Sequence, residues 1–167
     1  RRSADGALTL SGEDAFNAAL TAMVGDWAAA APNAPLVACG MVGARTGWRE
    51  APYVSLSPGS DGGRAAVDAT VLARAVLRVD TTLHRPLIII PGVASSEPDV
   101  MRGEETLLVG ADIAAGVIVL PGTHSKWVDM ADGGVARFAT FFTGEMNALI
   151  REHSAVGKAL LTAKGAA

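Results

Sequence analysis

The chain has 167 residues, 50% hydrophobic and 19% charged, with a formal net charge of −3. This composition excludes an intrinsically disordered chain, and without a basic excess nucleic acid is not expected as a partner. The apolar runs are far shorter than the roughly 20 residues of a membrane span, and the single cysteine, Cys39, excludes an internal disulfide and fits a cytoplasmic protein.

The first third of the chain predicts a helix, a strand and a long loop. Apolar residues at helical spacing predict a helix over Glu13–Ala30, with Ser11 as its N-cap. The apolar run 36–39 predicts a buried strand, and the glycines after it predict a tight turn at 40–43. The segment 46–63 is rich in Gly, Pro and Ser and predicts a long irregular loop.

The middle of the chain continues this alternation of helix and strand. Apolar residues in the range 67–76 predict a second helix, and the run 87–90 predicts a buried strand. A short helix is predicted over 104–111, with Glu104 and Glu105 in its first turn, where the helix dipole favours acids. The alternation favours an α/β fold with a parallel sheet.

After the third helix the pattern changes to an antiparallel meander. Strands are predicted over 117–120, 126–130 and 135–142. The residues 132–134 predict a hairpin turn, and Thr143 is predicted to cap a last helix whose apolar face includes His153, a predicted core histidine. We therefore expect two units, residues 1–115 and 116–167.

The corner between the first two of these strands is a candidate phosphate site. A glycine at the turn allows close backbone approach, and hydroxyl and backbone N–H groups can surround phosphate oxygens. The candidate residues are Gly122, Thr123, His124, Ser125 and Lys126, the last as a positive charge. The alternative is a plain structural corner, and the chain has no Walker-type phosphate motif.

Two further segments are candidates for substrate binding and acid–base chemistry. A carboxylate of Glu104 or Glu105 can take a proton from a hydroxyl, and Arg102 can hold a carboxylate through two hydrogen bonds. The glycine-rich turn ends a strand, where α/β sheets bind ligands. The candidate substrate-binding residues of this segment are Gly40, Met41, Gly43, Arg45, Trp48 and Tyr53, and Arg45 suits an acidic substrate. Both segments also have structural readings, as an ordinary helix start and a structural turn, and the two aromatic residues serve either packing or sugar contact.

Metal-site and hydrolase chemistry are not indicated. The three histidines, His84, His124 and His153, lack metal-ligand spacing, so no metal ligands are predicted. The nucleophile motif of serine hydrolases is absent, and adjacent His124 and Ser125 rarely face each other productively.

Several segments together resemble the 2-dehydro-3-deoxygalactonokinase family. The resemblance runs from about Leu8 to Leu160, and the blocks at 100–106 and 121–127 are specific in this order and spacing. The matching segments are Gly40–Gly43, Gly47–Trp48, Ala51–Tyr53, Val100–Thr106, Gly110–Ala111, Pro121–Trp127 and Thr143–Glu145.

The resemblance implies a ribonuclease H-like, actin-like ATPase fold with two α/β domains and ATP between them. It implies transfer of the γ-phosphate of ATP to the 6-hydroxyl of 2-dehydro-3-deoxy-D-galactonate, with Mg²⁺. The corner 122–126 then corresponds to a phosphate loop, Glu104 or Glu105 takes the place of the base, and Arg102 with the 40–48 turn holds the sugar acid. A cytoplasmic enzyme is expected, and a homodimer is compatible with it.

The resemblance also implies that the chain is part of a longer kinase. The chain begins at Arg1 without methionine, and family members are about twice as long, with an N-terminal Asp loop for phosphate and Mg²⁺. We therefore expect most of domain one plus the first hairpin of domain two, with negligible kinase activity in isolation. The alternatives are a non-catalytic ribonuclease H-like module that binds a sugar acid or a partner, and a kinase for a related ketodeoxy sugar acid.

Overall fold

A computed structural model describes residues 3–56, 66–96, 98–157 and 159. Its helices are α1 (Glu13–Ala30), α2 (Ala69–Arg74), α3 (Glu104–Gly110) and α4 (Thr143–His153), with a 3₁₀ turn at Gly40–Gly43. Its strands are β1 (Leu36–Ala38), β2 (Tyr53–Ser55), β3 (Leu77–Val79), β4 (Leu87–Ile89), β5 (Gly92–Ala94), β6 (Val100–Met101), β7 (Gly116–Leu120), β8 (Ser125–Ala131) and β9 (Gly134–Phe141).

The strands form three small sheets, and the α/β class is confirmed as a mixed rather than a parallel fold. The sheet orders are β1-β4-β3, β2-β5-β6 and β7-β8-β9. The pairs β1–β4 and β2–β5 are parallel, whereas β3–β4 and β5–β6 are antiparallel. The connections before β4 and β6 are too short for a crossover, so these neighbours must pair antiparallel. The predicted meander is confirmed in β7–β9.

The glycine-rich turn connects β1 to β2, two strands that pair with consecutive parts of the β4–β5 chain. The chain runs from β4 directly into β5, and β1 and β2 pair with these two strands in turn. Between them, the Ile90 N–H donates to the Ala38 carbonyl at 2.9 Å, and the Gly92 N–H donates to the Pro52 carbonyl at 3.1 Å. Both ends of the 39–52 segment are therefore fixed to the same stretch of chain.

Two hydrophobic clusters hold the fold together. One contains Phe16, Trp48, Ala51, Val79, Leu87 and Ile89. The other contains Val67, Leu72, Val93, Met101, Leu108, Val128, Met130, Val135 and Phe138. The second cluster joins side chains from both sides of residue 115, so the meander packs on α2, α3 and β5. The division at 115/116 stays a prediction.

Two helix starts differ from their predictions. Gly12, with φ 80°, is the N-cap of α1, and no side chain caps this helix, so the prediction for Ser11 was wrong. The positive φ of Gly12 is a conformation that glycine adopts readily. With Gly12 at the N-cap, the Ser11 hydroxyl does not reach the free N–H groups of the first helical turn. The second helix begins at Ala69, where the Asp68 carboxylate accepts from the Val71 N–H at 2.9 Å. Val67 instead bridges to Val135 in the meander.

Several short strands were missed. β2 lies inside the segment predicted as a loop over 46–63, whose residues 57–63 are outside the described part of the chain. The others are β3, β5 and β6, each of two or three residues. Strands this short do not complete a recognisable hydrophobic period, so tertiary pairing rather than local pattern determines them.

The last helix is more exposed than predicted. No residue of α4 is buried in the described chain, and the His153 side chain is 70% exposed, so the prediction of a core histidine was wrong. Thr143 is the first helical residue rather than the cap. Apolar spacing predicted a buried face, but nothing in the described structure covers it. None of the described helices combines the length and hydrophobicity needed to cross a membrane.

Candidate active site

The glycine-rich turn packs directly against the start of α3. A Cβ atom at Gly103 would lie 3.2 Å from the Gly40 Cα atom, and Gly103 itself has φ 112°. A Cβ atom at Gly43 would lie 2.8 Å from a methyl carbon of Ile89 and 3.0 Å from Nη1 of Arg102. Only glycine fits this approach without displacement, and the predicted turn and acid segments are thereby brought together.

Arg102 is the centre of this contact. Its Nη2 donates to the Ala51 carbonyl at 2.9 Å, and its Nε donates to the Tyr53 hydroxyl at 3.2 Å. The guanidinium carbon lies 4.1 Å from the centre of the Tyr53 ring. Its Nη1 is buried and has no hydrogen-bond acceptor in the described structure. A buried guanidinium donor without an acceptor is costly, and a carboxylate ligand would satisfy it.

The remaining turn residues have different environments. Trp48 is buried and stacks on Phe16 with ring centres 5.6 Å apart, which indicates packing rather than sugar contact. Tyr53 is exposed and lies beneath Arg102, where a ligand can reach it. Met41 and Arg45 are exposed on the turn. Only Tyr53 of these four is joined to Arg102 by a described polar contact.

The two glutamates at the start of α3 have distinct roles in the structure. Glu105 is fully buried, and its carboxylate accepts from the Gly103 N–H at 2.7 and 2.9 Å and from the Thr106 hydroxyl at 3.1 Å. Glu104 is partly exposed and accepts from the Arg102 N–H at 3.0 Å. Glu105 therefore supports the turn from inside the fold, whereas Glu104 reaches solvent beside Arg102.

Burial raises the pKa of the Glu105 carboxyl above its ordinary value, and the Glu104 charge acts in the same direction. Backbone and Thr106 hydrogen bonds oppose this change without cancelling it. Because the folded state holds this proton to higher pH than the unfolded state, stability from this group is complete below the ordinary carboxyl pKa. It is lost as the pH rises through the raised value.

We expect Glu105→Gln to flatten the pH dependence of stability in that window. A neutral amide cannot ionise, so the loss of melting temperature between the ordinary and the raised carboxyl pKa should shrink. Thermal unfolding followed by circular dichroism across mildly acidic to neutral pH measures this. Glu13→Gln, at an exposed first-turn acid of α1, controls for loss of one carboxylate, and an unchanged slope in Glu105→Gln would contradict the assignment.

The hairpin corner and the start of α4 line an open, shallow cavity of about 510 Å³. The Glu145 N–H donates to the Thr123 carbonyl at 3.0 Å, which fixes the helix start against the corner. His124 Nε2 lies 2.6 Å from a Glu145 carboxylate oxygen, so this acid is paired at the point where it would otherwise repel a phosphate. The lining residues are Gly122, Thr123, His124, Gly144, Glu145, Ala148, Leu149 and Glu152.

The other two residues predicted for phosphate binding point into the fold. The Ser125 hydroxyl is buried and hydrogen-bonded to the Thr143 hydroxyl. Lys126 is also buried, and its ammonium group donates to the Val100 carbonyl and to the Thr140 hydroxyl. The corner surface is therefore formed by Gly122 to His124.

Sequence reasoning missed the contribution of α4 to this site. Gly144 and Glu145 line the cavity together with the hairpin corner. The available signal was a glycine directly after a helix-starting threonine, which permits close approach to a neighbouring backbone. A Cβ atom at Gly144 would lie 2.4 Å from the Gly122 carbonyl oxygen.

The structure does not bring every predicted residue into one cavity. Among the described residues, the lining of the corner cavity comes from the hairpin and α4, with none from α3. The root of the hairpin nevertheless contacts β6, just before Arg102, through Lys126. No cluster of three His, Cys, Asp or Glu able to hold a metal ion is found within the described ranges.

Comparison with known proteins identifies the family. The model of the 2-keto-3-deoxy-galactonokinase family matches residues 1–167. The chain therefore belongs to this family.

Relatives in two organisms carry corresponding names. A Rhizobium meliloti (strain 1021) protein named as a probable 2-dehydro-3-deoxygalactonokinase, DgoK1, is 39% identical over 170 residues, covering 98% of this chain and 52% of the relative. The 2-dehydro-3-deoxygalactonokinase of Escherichia coli (strain K12) is 34% identical over 165 residues, covering 96% of this chain and 51% of the relative.

A solved structure is also similar. The crystal structure of a Sinorhizobium meliloti protein, provisionally named as a 2-dehydro-3-deoxygalactonokinase, matches with a TM-score of 0.69 and 36% identity. The match covers 95% of this chain and 50% of that chain. The chain thus spans about half the length of the relatives it matches.

Proposed function

We propose that the complete protein phosphorylates 2-dehydro-3-deoxy-D-galactonate at its 6-hydroxyl with ATP, in the cytoplasm. The observation that carries this proposal is the half-buried Arg102, with its unpartnered Nη1 atom, beside Glu104, in a chain whose relatives are named as kinases of this sugar acid. The mixed sheets and the antiparallel meander support a ribonuclease H-like fold, with units at 1–115 and 116–167. A homodimer is compatible with this arrangement.

The sugar-acid side of the site is proposed to hold the substrate through Arg102. Its unpartnered Nη1 supplies a charged donor for the substrate carboxylate or a ketone oxygen, and Tyr53 keeps the guanidinium in place. The glycines of the 40–43 turn are proposed to hold that turn close to Arg102 and Gly103, beside the substrate position. Met41 and Arg45 are proposed as outer contacts, with Trp48 supporting the turn from below.

Glu104 is proposed as the general base. Its carboxylate takes the proton of the 6-hydroxyl while that oxygen forms a bond to the γ-phosphorus and the bond from this phosphorus to the β,γ-bridging oxygen breaks, releasing ADP. Glu104 is preferred over Glu105 because a base must reach its proton, and Glu105 is enclosed and engaged with Gly103. Glu105 is proposed to hold the helix start in position.

The hairpin corner is proposed to bind the transferred phosphate. Gly122 and Thr123 line the cavity that α4 completes, and their backbone N–H groups and the Thr123 hydroxyl are the proposed donors to the phosphate. Family membership implies Mg²⁺ with ATP, but the described residues offer no carboxylate cluster to hold the ion.

ADP release that depends on the sugar acid tests the proposal. The complete protein with ATP, Mg²⁺ and 2-dehydro-3-deoxy-D-galactonate should release one ADP for each 6-phosphate formed, in a coupled spectrophotometric assay. The 167-residue chain alone should show negligible turnover. Faster turnover with the gluconate epimer would favour a related ketodeoxy sugar-acid kinase, and binding of the acid without ADP release would favour a non-catalytic module.

A further inference from the structure

The buried ammonium group of Lys126 makes two hydrogen bonds and one ion pair inside the fold. Nζ donates to the Val100 carbonyl and, at 2.6 Å, to the Thr140 hydroxyl, and it lies 3.6 Å from Oδ1 of Asp99. The Lys126 side chain is only 8% exposed. Two of the three ammonium donors make these hydrogen bonds, and the Asp99 carboxylate is an ion-pair partner at a distance too long for a hydrogen bond. Lys126 is therefore buried and engaged within the fold rather than displayed at the corner surface.

Asp99 and Thr140 complete a small polar network around this lysine. The Thr140 hydroxyl donates to Oδ1 of Asp99 at 2.5 Å, and the Thr140 N–H donates to Oδ2 at 2.8 Å. The hydroxyl thus accepts from Lys126 and donates to Asp99, so both of its roles are used. A part-buried network of this kind fixes geometry more firmly than one exposed ion pair.

The network joins the two halves of the proposed site. Lys126 directly follows the hairpin corner on β8, and Val100 lies on β6, two residues before Arg102 and four before Glu104. Met101, the other residue of β6, is buried in the hydrophobic cluster shared with the meander. A shift of the hairpin root is therefore transmitted to the backbone that positions the base and the arginine.

From this geometry we infer that Lys126, with Asp99 and Thr140, is a positioning residue that fixes the phosphate corner relative to the sugar-acid segment. The expected kinetic effect rests on the proposed function, whereas the network is observed independently of it. In-line phosphoryl transfer depends on the alignment of hydroxyl and phosphate, and a misplacement of about 1 Å can lower the rate roughly 100-fold.

Lys126→Met in the complete protein tests the inference, with Arg137→Met as the matched control. Methionine keeps the unbranched side chain and removes the charge, and Arg137 is a 69% exposed cation on the neighbouring strand. We expect Lys126→Met to lower kcat roughly 10- to 100-fold and to raise the KM for ATP, per folded molecule. Arg137→Met should stay within about twofold of the unmutated protein.

A purely structural role predicts a different result. It would lower the melting temperature and the folded fraction but leave kcat and KM per folded molecule unchanged, and that result would overturn the inference. If Lys126→Met does not fold, Thr140→Val removes the central hydroxyl with little change in volume. Thr140→Val is expected to lower kcat and raise the KM for ATP by smaller factors. Unchanged kinetics per folded molecule in Thr140→Val would also overturn the inference.

Hydrogen exchange separates this inference from the proposed function. In Lys126→Met, amides of 99–103 and of 122–126 should exchange faster together, whereas Arg137→Met should leave both segments unchanged. Faster exchange in both segments would support the network whether or not the unmutated protein releases ADP. If no ADP were released, only the proposed function would fail. Faster exchange in only one of the segments would overturn the linkage between them.

Discussion

Glu104→Gln is expected to lower kcat about 10²- to 10⁴-fold in the complete protein, the range typical for loss of a general base. Glutamine keeps the size of the side chain and can still accept from the Arg102 N–H, but it cannot take the hydroxyl proton. The KM for the sugar acid should change much less, because Arg102 and the glycine-rich turn remain in place. Steady-state ADP release at saturating ATP measures both parameters.

The matched controls for this experiment are Glu13→Gln and Glu105→Gln. Glu13→Gln is the same substitution at an exposed helix start, where the Glu13 carboxylate pairs with Arg49 at 2.8 Å. Loss of this surface ion pair should leave turnover near that of the unmutated protein. Glu105→Gln should lower stability more than catalysis per folded molecule. Normal turnover in Glu104→Gln, together with a large loss in Glu105→Gln, would reverse the assignment of the base.

Gly144→Ala is expected to disturb the phosphate corner and the fold at once. Its Cβ atom would lie 2.4 Å from the Gly122 carbonyl oxygen and 2.9 Å from the Thr123 Cα atom, and backbone atoms cannot move aside as a flexible side chain can. Overpacking of this kind costs about 1–3 kcal/mol, which corresponds to a fall in melting temperature of roughly 2–12 °C. The KM for ATP should rise as the helix start moves away from the corner.

Gly110→Ala is the control for this change. Gly110 ends α3, and a Cβ atom there would meet nothing within 4 Å. Replacing glycine by alanine in a helix is neutral or stabilising by up to about 1 kcal/mol when space is available. Equal melting temperatures and equal KM values in the two variants would show that the close approach of α4 to the hairpin has no consequence.

The local pattern of the sequence predicted the longer elements well. The bounds of α1 and α3 and the order of the meander follow from helical spacing, dipole-favoured acids and a glycine turn, all of which are local features. β2, β3, β5 and β6 were not predictable in this way. Each exists because it pairs with a partner strand distant in the chain or is fixed by a short turn, and two or three residues carry no period of their own.

Local sequence patterns also predicted the candidate site only in part. The sequence predicted Arg102, Glu104 and Glu105 as site residues but did not distinguish the two acids, since both suit the first turn of a helix. Burial made the distinction, and burial depends on how α3 lies against the meander. Lys126 was predicted at a phosphate because its position beside the glycine corner offered a positive charge. The alternation of β8 instead turns its side chain inward, toward Asp99 and Thr140.

The two ends of the 39–52 segment are fixed, so the strand register does not depend on the length or composition of the exposed residues between them. Because Ala38 and Pro52 are both tied to the β4–β5 chain, the length and composition of the exposed part of this segment can change without shifting the strand register. Buried Gly43 and Trp48 must remain. We therefore expect relatives with different sugar-acid preferences to vary at the exposed positions, and we expect segment exchange there to alter selectivity while the sheets stay intact.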